Sequence, residues 1–283
     1  MTTSTIPSIV GSSKRSKRVQ FFLLCLFIPL FTIPFYVVLS ASFKTSQGAD
    51  VTTMWKLPAE WTTSGISKAW EALSGNFKNS LFMVIPAVVI SSLIGSFNGF
   101  ILSKYKFKFS NTIFTLMLVG MFIPYQTILI PMVRFLQLVH LYGTLPGLAL
   151  VHIIYGIPIT TLMFRNFYVS VPKALVEAAS IDGAGLLKTF FRIILPLSIP
   201  GFVVAGIYQF TNIWNDFLFG IVTIPNPVNQ PVTAALNNLS GTQTVDWNVL
   251  MAGSLIAALP TAIIYLLLGR YYIQGLTSGS VKY

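Results

Sequence analysis

The stretch VPKALVEAASIDGAGLLKTFFRIILPLSIP, Val171–Pro200, decides how the chain is read. It is neither an apolar span nor a polar tail. Two of the seven acids (Glu177, Asp182) and three of the eighteen bases (Lys173, Lys188, Arg192) fall in it. Pro172 suits a first helical turn, where its missing N–H is harmless. Ala174, Ala178 and Ile181 follow at i, i+4 and i+7, a narrow apolar stripe dominated by small side chains. Asp182-Gly183 is a turn pair, and Gly183 can take the left-handed conformation that stops a helix. A second helical pattern starts at once. Leu187, Phe190, Phe191 and Ile194 are expected on one face, Lys188 and Arg192 on another, and Pro196 is expected to end the helix. The stretch reads as a helix–turn–helix elbow whose small-residue surface lets another protein approach closely.

The surroundings are apolar. Only 9% of residues are charged, against about a quarter in soluble domains. A transmembrane helix needs roughly 20 apolar residues. Uncharged runs at Val19–Phe43, Asn79–Ser103, Phe109–Val133, Phe135–Phe164, Ile193–Asn215 and Trp247–Gly269 supply six candidate spans. The run Phe217–Val245 is also uncharged, but the amides and Pro227 in its second half make that half a loop. The elbow is thus the water-facing link between spans four and five.

A net charge of +11 raises nucleic acid as a partner, but the distribution argues against it. With the N-terminus inside, thirteen bases fall in inner segments and five (Lys44, Lys56, Lys68, Lys78, Arg134) in outer ones. That asymmetry orients a membrane protein with both ends in the cytoplasm, with acidic lipid as a secondary contact. The basic start followed by an apolar run resembles a secretory signal. The run is too long and lacks a small-x-small site, so it is expected to stay as a first helix. One cysteine, Cys25, forms no disulfide within the chain.

Individual residues add detail. Trp55, Trp61 and Trp70 in the outer loop suit either the lipid interface or a docking surface. Ser91, Gly95 and Gly99 form a small-residue stripe that admits a second helix, from this chain or from a partner. Pro124 and Pro131 break or bend span three, and Gln126 beside that break suits a cavity wall. Span five ends Asn212-Ile213-Trp214-Asn215-Asp216. Asp216 is the one acid in or at the edge of a span, and such a group sits near the surface or lines a wet path. With Trp214 and Asn215 it could serve a sugar pathway, rings stacking on C–H surfaces and polar groups bonding hydroxyls. His140 and His152 are isolated, and no metal site is expected. There is no phosphate-binding Gly-x-x-x-x-Gly-Lys-Ser/Thr: at Lys188-Thr189, Leu187 stands where the glycine should be. No catalytic constellation or cofactor site is read.

Glu177-Ala178-Ala179, three residues, Gly183, nine residues, Ile193, one residue and Leu195-Pro196 resemble the EAA loop of ABC importer permeases. Met121–Pro131 resembles the family's Pro-x-Gln and Ile-Pro pattern, and Phe167–Ala184 its lead-in to the loop. Gln274-Gly275-Leu276-Thr277 looks like the tail of maltose-type carbohydrate permeases. The resemblance implies an all-α polytopic protein with six transmembrane helices, the type I ABC importer transmembrane domain, in a prokaryotic inner membrane. It divides the chain into a cytoplasmic tail (1–20), a first transmembrane helix (21–43), an extracytoplasmic loop (44–78), a permease core (79–270, with a coupling loop at 171–196) and a C-terminal tail (271–283). It implies that Glu177, Ala178, Ala179, Asp182, Gly183, Ile193, Leu195 and Pro196 couple to an ATP-hydrolysing subunit dimer, and that the tail residues 274–277 contact it. A second permease subunit and an extracytoplasmic solute-binding protein complete the implied assembly. The implied cargo is a sugar or related polyhydroxylated solute. An ABC permease for another solute is the alternative. A self-sufficient channel or secondary transporter would call for inverted repeats, which are not seen.

Overall fold

The computed structural model describes residues 14–241 and 245–277, with side chains from 18–241 and 245–271. Every regular element among them is helical. α1 (Lys14–Ser42), α2 (Ser64–Lys104), α5 (Leu145–Val169) and α12 (Trp247–Thr277) are long, and each is apolar enough to cross a membrane. Two further spans are bent pairs. α3 (Ser110–Met121) leads through a one-turn 3₁₀ helix (Tyr125–Ile128) into α4 (Leu129–Leu138) with a 92° bend. A segment starting at α7 (Leu186–Thr189) runs through a π-turn (Phe190–Ile194) and α8 (Leu195–Leu197) to α9 (Ile199–Trp214) with a 77° bend. Counting each pair as one span gives the six expected. The elbow helix α6 (Lys173–Ile181) precedes α7. The short α10 (Leu218–Thr223) and α11 (Val232–Asn238) lie between α9 and α12.

The boundaries differ from those expected, for local reasons. α1 opens at Lys14, inside the stretch read as tail (1–20). α2 opens at Ser64, inside the stretch read as outer loop (44–78). Its 41 residues reach roughly 60 Å at about 1.5 Å each, about twice the hydrocarbon thickness of roughly 30 Å, so about half of it extends beyond the hydrocarbon. The bend expected in span three is a full break, because α3 alone is 12 residues, about 18 Å, too short to cross. The run 135–164 is not one helix. Leu136–Thr144 forms a corner with His140 at φ +59° and Gly143 at φ +79°. Thr144 then caps α5 by accepting from the Gly147 N–H (3.1 Å), with Pro146 in the first turn. α5 continues past Arg165 to Val169.

The run after Phe217 contains α10 in its first half and, in the half read as a loop, a 3₁₀ turn (Pro227–Asn229) and α11, which α2 side chains hold in place. Asn76 Nδ2 donates to the carbonyls of Pro227 and Gln230 (2.8 Å each), and Asn79 Nδ2 to that of Val228 (2.9 Å). Ser80 Oγ accepts from Val232 N (2.8 Å). These bonds satisfy irregular backbone that lipid could not. Asn248 Nδ2 donates to Lys44 O and Ser46 Oγ to Asp246 Oδ1, so the stretch read as the outer loop is tied to the start of α12. Trp55, Trp61 and Trp70 stay exposed.

α2 and α5 pack along the small-residue stripe. In lipid there is little hydrophobic drive between helices, so close backbone approach and interhelical hydrogen bonds hold them. A Cβ at Gly95 would fall inside the Thr160 side chain, and one at Gly99 would come within 2.7 Å of Arg165 N. Thr160 Oγ1 crosses the interface to Ser91 O (3.0 Å), and Gln209 Nε2 of α9 donates to Ser91 Oγ (3.0 Å). The stripe is therefore used within this chain. Gly95→Leu should destabilise the fold by at least about 1–3 kcal/mol through overpacking. Gly75→Ala, where an added Cβ meets nothing within 4 Å, should be neutral or stabilising by about 0.4–1 kcal/mol. Thermal unfolding of the purified protein in detergent would rank the two; equal midpoints would contradict the packing.

Candidate functional site

The elbow is built as a fixed bracket with a free outer face. α6 ends in a Schellman motif: Ala184 N–H donates to Ala179 O (2.9 Å) and Gly183 N–H to Ser180 O (3.1 Å). Gly183 sits at φ +73° with nothing within 4 Å of an added Cβ. The turn thus needs glycine for its backbone conformation, not for space. Val176 and Ala179 face inward. Val176 packs in a cluster with Phe100 of α2, Phe164 and Tyr168 of α5, and Phe190 and Ile194.

Ala174, Ala178 and Ile181 point outward, with Ile181 86% exposed. Glu177, Asp182, Lys188 and Arg192 are exposed too, and Ile193 and Leu195 are half-buried beside exposed Pro196. The second arm departs from the expected single face. Phe190 and Ile194 are buried, while Leu187 and Phe191 are 59% and 57% exposed. The π-turn adds a residue to the helical period, which separates positions that a 3.6-residue repeat would align. Nor does Pro196 end the helix: it sits in the first turn of α8, and the break comes at Ser198, before Pro200.

A buried chain of hydroxyls spans that break. Ser96 Oγ of α2 lies 2.6 Å from Tyr168 Oη of α5, which lies 2.7 Å from Ser198 Oγ. Ser198 Oγ donates to Ile194 O. The order follows: Ser96 donates to Tyr168, Tyr168 to Ser198, Ser198 to the carbonyl.

The second feature is a cleft of about 890 Å³ walled by α3, α5, α9 and the corner into α10. Asp216 reaches it with its side chain 14% exposed. Its carboxylate accepts from the N–H groups of Phe219 (3.4 Å) and Gly220 (3.1 Å), so it both caps a helix end and faces the cleft. His152 Nε2 lies 3.6 Å from Asp216 Oδ2. Phe219 is ringed by Tyr125, Tyr155 and His152 at centroid distances of 5.2–5.7 Å.

Of the four residues read as pathway, Asn215 and Asp216 line the cleft. Gln126 is exposed on the 3₁₀ turn, outside the lining. Trp214 turns into the core: it is 1% exposed, stacks on Phe210 and donates from Nε1 to Ala257 O (2.8 Å). His152, Tyr155 and Asn212 line the cleft without having been read as such. Tyr208, Asn212 and Asn215 recur at i, i+4 and i+7, a polar stripe in an apolar span that the sequence does carry. Gln274–Thr277 lie in the last turn of α12, and the rest of the expected tail (278–283) lies outside the described residues. No group of His, Cys, Asp and Glu able to hold a metal occurs among the described residues.

Up to six apolar spans, an exposed elbow between two of them and a cleft with mixed apolar and polar lining are the frame of a polytopic membrane protein. Residues 91–276 match the family described as binding-protein-dependent transport system inner membrane component, and the chain belongs to that family. It is the permease of an ABC importer, a multi-pass membrane protein and not an enzyme. The xylose/arabinose import permease protein XacI of Haloferax volcanii is 34% identical over 96% of this chain and 95% of its own. The melibiose/raffinose/stachyose import permease protein MelC of Bacillus subtilis is 32% identical over 88% of this chain and 91% of its own. A crystal structure of a bacterial ABC transporter that imports the acidic polysaccharide alginate contains a chain with the same fold. Its TM-score is 0.79 at 18% identity, covering 94% of this chain and all of that one.

Gly183→Pro sets φ near −65° against the observed +73° and removes the donor to Ser180. Membrane insertion should survive and ATP-driven uptake in vesicles should be lost; full uptake would contradict the elbow's role. Tyr168→Phe removes two buried hydrogen bonds. It should cost about 1–3 kcal/mol at roughly 0.5–1.5 each, read as a lower unfolding midpoint in detergent.

Proposed function

We propose that this chain forms half of the transmembrane path for a sugar or related polyhydroxylated solute, and that Val171–Pro196 couples it to a separate ATPase dimer. One observation carries the coupling: the elbow's inner face is bolted to α2, α5 and α9, while its outer face leaves Ala178, Ile181, Leu187 and Phe191 exposed. An apolar surface standing in water, on a rigid mount, suits a protein partner. Of the residues carried over from the EAA pattern, Glu177, Ala178, Asp182, Gly183 and Pro196 are exposed and are assigned to that contact; Ala179 is buried on the inner face and Ile193 and Leu195 are half-buried, so these three support the elbow instead, and Gln274–Thr277 are assigned to a second contact. The sugar reading is supported by the relatives' named cargoes and by the cleft, whose aromatic rings and side-chain amides suit polyhydroxylated rings. A second permease subunit completes the path, and an extracytoplasmic binding protein delivers cargo to the side bearing Trp55, Trp61 and Trp70. The basic residues orient both termini to the cytoplasm.

The test uses Ala178→Cys in a Cys25→Ser background, since Cys25 is the native cysteine and is exposed. A maleimide should label Ala178→Cys fast in the isolated subunit and at least about tenfold slower once the ATPase is bound. Undiminished labelling in an ATPase-containing complex would refute the docking. Sugar uptake by this subunit alone, without ATP, would refute the division of labour.

A further inference from the structure

The cleft contains a pair of polar groups that the fold leaves incomplete. His152 is 5% exposed, lines the cleft, and its Nε2 makes no hydrogen bond. Its neighbour Asp216 Oδ2 is 3.6 Å away, beyond a direct hydrogen bond. Nε2 is closed off from solvent as the side chain stands; with the imidazole turned toward the cleft, one hydroxyl oxygen, or two on neighbouring carbons, would reach both atoms at ordinary lengths of about 2.7–3.0 Å. A buried polar atom without a partner is costly and calls for an occupant. A hydroxyl suits both ends, because it donates and accepts at once.

The rest of the cleft narrows the class of occupant. Its lining includes no Lys or Arg, and Asp216 is its one acid. An anionic cargo would meet that carboxylate with no lining lysine or arginine to offset it. Beside the pair stand Tyr125, Tyr155 and Phe219, flat apolar faces for C–H surfaces. Asn212 and Asn215 each use one amide hydrogen within α9 (2.8 and 2.9 Å), which leaves donor and acceptor capacity on each. The volume falls in the range of about 300–1,000 Å³ usual for small-ligand sites.

We infer that His152 and Asp216 together form a hydroxyl-recognition subsite that selects uncharged polyhydroxylated cargo and turns away sugar acids. This rests on the sugar reading above and sharpens it: the subunit itself reads the cargo.

The experiment uses the whole complex, with its binding protein, in proteoliposomes. The probes are neutral pentoses and galactosides, their monodeoxy analogues, the matching uronic acids, and choline as a cation. With the binding protein equally occupied, the wild type should take up a neutral sugar at least about tenfold faster than the matching uronate. It should also discriminate at least one deoxy analogue by a similar factor. His152→Gln and Asp216→Asn keep side-chain volume, and Asn keeps an oxygen for the α10 backbone. In either variant the deoxy discrimination should fall towards one, while assembly, checked by size-exclusion chromatography, is kept. Full discrimination in an assembled variant overturns the subsite and leaves the sugar reading intact. Equal uptake of the uronate by the wild type overturns the charge selection without any variant. Uptake of choline but no neutral sugar overturns both the subsite and the sugar reading.

Discussion

The hydroxyl of Tyr168 is the point on which the rest of the structure hangs. It is buried where three helices meet, taking a hydrogen bond from Ser96 and giving one to Ser198. A helix broken by 77° inside a membrane protein frees backbone groups that lipid cannot bond. Pro196 and Pro200 deepen the deficit, since neither has an N–H. Ser198 answers part of it by donating to Ile194 O, and Tyr168 then meets the demand that Ser198 still makes. The break is thereby fixed at one place and one angle. Chains of hydrogen bonds of this kind act as units in a low dielectric, so the break after the elbow is tied to α2 through Ser96 and to α5 through Tyr168.

Close approach of α2 and α5 makes that chain possible. Gly95, Gly99 and Gly156 let the backbones come together, with Thr160 and Ser91 bonded across the seam. A larger residue at Gly95 would push α5 outward, and Tyr168, two turns along the same helix, would lose its reach to Ser96. Small residues and buried hydroxyls therefore act together: the first set the distance, the second use it.

Much of this was legible in the sequence. Uncharged runs of sufficient length announced helices, and Asp182-Gly183 announced the elbow's turn. Where reading failed, it failed for definite reasons. Phe109 takes φ +69° ahead of α3 without glycine's exemption, so no residue type signals that start. The cap at Thr144-Leu145-Pro146 was available but hidden inside a run judged only by its lack of charge. The π-turn defeated a face count that assumed 3.6 residues per turn. A span was also assumed to begin where charge stopped, although α2 opens at Ser64, ahead of Lys68 and Lys78.

The cleft shows the same division between local and distant information. Asp216 stood out because an acid among apolar spans needs a reason. Trp214 was grouped with Asn215 and Asp216 by adjacency, but successive helical residues diverge by about 100°. The Trp214 ring accordingly fills the core while Asn215 and Asp216 face the cleft. His152 could not be read, because its partner lies 64 positions away and on a different span. Yet the two features share their supports. α5 carries His152 and Tyr168. α9 begins after Ser198 and ends beside Asn215, about 24 Å on at 1.5 Å per residue. On the coupling proposed above, a force on the elbow would be carried to both walls of the cleft by these two helices, α5 with Pro158 between Tyr168 and His152 and α9 without an interior break, and would change the spacing of His152 and Asp216.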